Sequence, residues 1–121
     1  MTARTVDELV LAEASGVWVV RSASRTEYFV DADNMLLLRR TGPASSSGPG
    51  DNRWCPLVLV ESVNGRDRGV IRVGDRHVYT FDDEPDGANY HWWIQRLVMS
   101  IDWVEGEELA ALSDIAPDGA L

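Results

Sequence analysis

Residues 17–41 read VWVVRSASRTEYFVDADNMLLLRRT, and this stretch decides the fold. It holds three short runs of β-forming residues separated by Ser-Ala-Ser and Asp-Ala-Asp-Asn, the pattern of an antiparallel meander. In the first run, Val17, Val19 and Arg21 alternate with Trp18, Val20 and Ser22. Both sets are largely apolar, so this strand is expected to be covered on both faces. Ser22-Ala23-Ser24 suits a hairpin turn. In the second run, Thr26, Tyr28 and Val30 share one face and Glu27, Phe29 and Asp31 the other. Asp31-Ala32-Asp33-Asn34 then supplies turn chemistry, because Asp and Asn side chains bond nearby main chain and tolerate left-handed backbone. The third run, Met35 to Leu38, ends in Arg39-Arg40. Four residues between turn signals are too few for a helix.

Outward from the meander, the N-terminal side shows the capping-box spacing Thr5-x-x-Glu8, followed by Leu9-Val10-Leu11 and by Gly16 in the place of a helix-ending glycine. A short helix over 6–14 is predicted. On the C-terminal side, residues 42–56 are rich in Gly, Pro and Ser and read as a mobile loop closed by Arg53, Trp54, Cys55 and Pro56. Leu57 to Val63 is a dense apolar strand. Asn64-Gly65 is the favoured hairpin dipeptide, with Arg68 to Val73 returning. Arg76 to Phe81 alternates with His77, Tyr79 and Phe81 on one side. An acidic loop, 82–87, follows.

Tyr90 to Val104 fits both helical and strand spacing. The β-rich context and the tryptophans favour two strands, 90–94 and 97–104. Glu107 to Leu112 are strong helix formers, so residues 105–121 are expected to be a short helix and a frayed tail. Together these give one mainly β domain over 1–121: a small curved antiparallel sheet or partly open barrel of about six to eight strands, with short flanking helices.

The net charge is −9, with eleven arginines and no lysine. A positive field is needed to hold phosphates, so direct nucleic-acid binding is not expected. The arginine-only usage fits a GC-rich genome. No run of about 20 apolar residues would cross a membrane as a helix. MTARTVDELV is too acidic for a secretory signal. Cys55, the single cysteine, has no partner for an intrachain disulfide. A cytoplasmic protein is the expectation.

VWVVRSASRTEYFVDADNMLLLRR resembles the opening of small proteins found in actinobacteria and their phages, with a Val-rich strand, a Ser-containing turn, a Tyr-x-Val-Asp strand and a basic strand end. RLVMSIDW resembles their closing strand. The resemblance covers about a third of the chain. It implies a small barrel or curved sheet and brings no activity or residue role with it.

The chain carries no P-loop, Rossmann glycine pattern or zinc-ligand pair, and no cofactor is expected. Cys55 with His77 or His91 would be needed for nucleophilic catalysis, but a reactive thiol requires a special microenvironment. The acidic loop lacks the EF-hand spacing and its closing glutamate, and reads as a solvated turn. The tryptophans stand out, five in this length. Trp18 and Trp103 fall in apolar strands and are expected inside. Trp92 and Trp93 are adjacent, so in a strand they face opposite ways. Trp54 follows Arg53 at the edge of the loop. Core or loop anchoring is the plainer account of each. The sharper expectation is a partner-binding surface built from Trp54, Trp92, Trp93 and Arg53, engaging an unidentified protein or a second copy of the chain. Two rival functions are an acidic mimic of nucleic acid and a small enzyme using Cys55 or a histidine.

Overall fold

The computed structural model describes residues 5–41, 51–65, 67–82, 90–113 and 115. The meander forms as β3 (Val17–Ser22), β4 (Glu27–Asp31) and β5 (Leu36–Arg40), antiparallel throughout. Its turns use the chemistry read from the sequence. Ser22 and Ser24 hydroxyl oxygens accept the amides of Ser24 and Thr26, and an Asp31 carboxylate oxygen accepts those of Asp33 and Asn34. Met35 takes the left-handed position of the second turn, φ 51°, which is uncommon for a residue with a Cβ. The third strand therefore starts one residue later than its apolar run and continues through both arginines.

The remaining strands are β1 (Thr5–Val6), β2 (Glu8–Val10), β6 (Trp54–Ser62), β7 (Val70–Arg72), β8 (His77–Asp82), β9 (Tyr90–Ile94) and β10 (Val98–Val104). Eight of the strands make one antiparallel sheet, ordered β1-β10-β3-β4-β5-β6-β8-β9, while β2 and β7 pair separately. The sheet does not close into a barrel, since β1 and β9 are its two ends. It is strongly curved. Three strand spacings of about 4.8 Å separate β4 from β8, yet the rings of Tyr28 and Tyr79 stack with centroids 4.8 Å apart.

Curvature explains why β3 is apolar on both sides. Trp18, Val20, Tyr28 and Val30 face the concave interior, where they meet Val60, Tyr79, Phe81 and Ile101. Val17, Val19, Phe29 and Leu38 face the other way and pack with Trp54, Val104 and Leu112. Leu112 belongs to α1 (Gly106–Ser113), the short helix expected in the C-terminal segment, which packs on that outer face. Residue 114 and residues 116–121 lie outside the described residues.

The helix expected over 6–14 does not form; residues 5–6 and 8–10 are strands with a bend at Asp7, followed by a single turn at 11–13. Both members of the supposed capping box are used elsewhere. The Thr5 hydroxyl donates to Asp102 at 2.6 Å, and Glu8 is ion-paired with Arg72 at 3.1 Å. Leu9 and Leu11, two apart, are buried, and Leu9 lies opposite Ile71. A spacing of two serves strand pairing, and nine residues held too little helix to resist it. Gly16 (φ 81°) closes a turn, where an added Cβ would sit 3.2 Å from the indole nitrogen of Trp103. The loop expected over 42–56 is shorter at its far end, because Trp54, Cys55 and Pro56 already belong to β6. Residues 42–50 are outside the described set. Arg68 makes only an isolated bridge to Glu61, and the return strand narrows to β7.

Candidate interaction surface on the edge strand

The segment 90–104 forms the two strands expected of it, and β9 is the end of the sheet. Its register against β8 pairs Tyr90 with Asp82, Trp92 with Thr80 and Trp93 with Tyr79. Alternation sends His91 and Trp93 inward. Trp93 stacks on Phe81 with ring centroids 3.9 Å apart and meets Tyr28 edge-on at 6.1 Å. The Arg39 guanidinium lies 5.1 Å from its ring centre, a cation–π distance. Trp93 is therefore part of the wall of the core.

Tyr90, Trp92 and Ile94 point the other way and are 55%, 66% and 51% exposed. Leu97 and Met99, in the segment that follows, are exposed as well. The main chain of the same three residues faces the open edge. Gln95 N–H donates to the His77 carbonyl at 3.1 Å. Hydrogen-bonded pairs alternate along an antiparallel ladder, so Trp93 and His91 bond to β8 and the amides and carbonyls of Tyr90, Trp92 and Ile94 turn away from it. No described strand lies on that side.

A buried polar clamp holds the end of β9 in place. The Gln95 side chain, 1% exposed, donates to the Val20 carbonyl at 2.9 Å and accepts the Tyr79 hydroxyl at 2.7 Å. One amide thus ties β9 to β3 across the concave interior and to β8 beside it. Burial pushes the Tyr79 phenol well above its ordinary pKa.

The other expected surface residues are placed differently. Trp54 is buried, and its indole N–H donates to the Leu112 carbonyl at 3.0 Å. It anchors α1 and offers no area to a partner. Arg53 is half-buried beside it. The expected constellation therefore divides: Trp92 is on the surface, Trp93 in the wall, Trp54 in the second core. Tyr90 and Ile94 were not among the expected surface residues, although the alternation of YHWWI places them on the side of Trp92. Gln95 gave no sequence signal, because its role depends on two strands distant in the chain.

Cys55 and His77 are both fully buried. The His77 Nε2 accepts the Arg72 amide at 3.2 Å, and its Nδ1 is buried without a hydrogen-bond partner. Among the described residues no cluster of three His, Cys, Asp or Glu gathers to hold a metal ion, and no helix is long and apolar enough to cross a membrane. No protein-family model, curated protein or solved structure matches the chain.

Proposed function

We propose that this is a non-enzymatic interaction protein that captures a partner protein along the outward side of β9. The row Tyr90–Trp92–Ile94 carries the reading: three large apolar side chains, each more than half exposed, on a strand with an open main-chain edge. Exposed edge strands are ordinarily blunted by lysine, proline or a bulge, and Tyr-His-Trp-Trp-Ile has none of these. An extended segment of a partner adds to such an edge by main-chain hydrogen bonds, with side chains setting specificity. A tryptophan at the centre of the contact offers large area at small entropic cost. The resemblance to actinobacterial and phage proteins supports a bacterial host protein as the partner, met in the cytoplasm.

The mimic reading needs carboxylates gathered in one stripe. Among the described residues, Glu27 and Asp102 are met by Arg21, Asp51 by Arg39, Glu61 by Arg68, and Glu8 and Asp67 by Arg72. The enzyme reading needs an accessible nucleophile, and the Cys55 thiol has no contact with solvent.

The test is a pull-down from an actinobacterial lysate with the tagged protein, its Trp92→Ala variant and a Val63→Ala variant altered at an exposed residue elsewhere. A protein retained by wild type and Val63→Ala but lost with Trp92→Ala supports the reading. Equal retention by all three would refute it. Size-exclusion chromatography with light scattering distinguishes a second copy of the chain as the partner.

A further inference from the structure

A small hollow lies between the β3–β4 turn and the end of β9, about 100 Å³ in volume. We infer that it binds a phosphate-sized oxyanion, held by Ser22, Ser24, Tyr28, Arg39 and Arg96. The hollow adjoins the outward side of β9 at Ile94, but the inference does not require a partner there.

Hydrogen-bond accounting supports it. The Ser22 and Ser24 oxygens each accept a main-chain amide, so both hydroxyl hydrogens remain to be donated. Burial lifts the Tyr28 phenol to about 12, so it too keeps its proton. Arg39 gives one terminal nitrogen to Asp51, at 3.0 Å, and also donates to the Tyr28 hydroxyl oxygen, while its buried Nε has no acceptor. Arg96 is exposed and makes no ion pair among the described residues. Gln95, also at the wall, has its oxygen occupied by Tyr79 and its amide by Val20. The lining includes no carboxylate. In a protein of net charge −9, this hollow presents donors and two guanidinium groups. Charge-assisted bonds of that kind select oxyanions. The hollow, about 100 Å³, has room for one such group.

Isothermal titration at pH 7 and fixed ionic strength, with chloride as the balancing anion, tests this. Inorganic phosphate, methyl phosphate and acetate are the probes, separating a free ion, a phosphate ester and a carboxylate. At least one is expected to bind saturably at one site. Arg96→Ala is expected to weaken that binding about tenfold, the worth of one charge-assisted bond. Ser24→Ala should weaken it less. Arg76→Ala, altered at an exposed arginine outside the lining, should leave it unchanged. Circular dichroism checks that each variant is folded. Absence of saturable binding by all three probes would overturn the inference. So would binding that Arg96→Ala and Arg76→Ala affect equally.

Discussion

The ring of Trp93 stacks on that of Phe81 at 3.9 Å between centroids, while its neighbour Trp92 is 66% exposed. Two identical side chains in adjacent positions thus have different work. Trp93→Ala is expected to cost ~3 kcal/mol of stability through the space it opens. Trp92→Ala should stay within ~0.5 kcal/mol but weaken partner binding by ~2 kcal/mol, about 30-fold. Urea unfolding of both variants checks the first pair of values, and titration with the captured partner checks the last.

Trp54 is expected to act through α1. Trp54→Phe keeps an aromatic ring in place but removes the indole donor to the Leu112 carbonyl and part of the ring volume, at a cost of ~1 kcal/mol for the hydrogen bond and ~1 kcal/mol for the space opened. Trp54→Ala should cost ~3–5 kcal/mol. Neither should alter partner binding in protein that remains folded. Loss of binding in folded Trp54→Phe would return that residue to the interaction surface.

Gln95 and Tyr79 form one unit with the Val20 carbonyl. Gln95→Leu leaves a buried hydroxyl unsatisfied, at ~1–3 kcal/mol, and removes the second of the two hydrogen bonds to the Val20 carbonyl. Tyr79→Phe leaves only the Gln95 oxygen unpaired and should be milder. The double variant should be less destabilised than the sum of the two, because the hydroxyl stranded by the first change is removed by the second. Denaturation of the four proteins completes the cycle.

Burial lowers the His77 pKa below its ordinary 6.5. The unfolded chain then takes up a proton that the folded chain refuses, so this contribution to stability is complete above pH 6.5. It is lost as the pH falls from there toward the folded value. His77→Leu removes the Arg72 amide's acceptor and is expected to be less stable at pH 7, but its stability should change less between pH 7 and 5. Melting temperatures across that range decide the matter.

Burial raises both Tyr28 and Tyr79 above 10, Tyr28 to about 12. Their contribution is present below pH 10, where the unfolded phenols keep their protons, and is lost as the pH rises toward the folded values. Phenolate absorbance should show Tyr79 ionising together with unfolding.

Local chemistry made the meander legible. The Ser and Asx turns, the apolar alternation of β8 and the helix formers of α1 act over a few residues, and each formed where expected. The N-terminal segment was misread because Thr5 and Glu8 match a capping box, while their structural partners, Asp102 and Arg72, are far along the chain. The same limit applied to the tryptophans. Alternation separates Trp92 from Trp93, but the covering of Trp54 by Leu112 depends on how α1 docks. Tyr90 and Ile94 follow from alternation once β9 is known to be a strand, whereas its place at the end of the sheet is a property of topology.

The outward side of β9 is the proposed seat of a partner. A photoreactive amino acid at position 92, with position 63 as the exposed control, tests it in an actinobacterial lysate under illumination. A discrete adduct to one protein from position 92 and none from position 63 is the predicted result. The same adducts from both positions, or none from position 92, would contradict it.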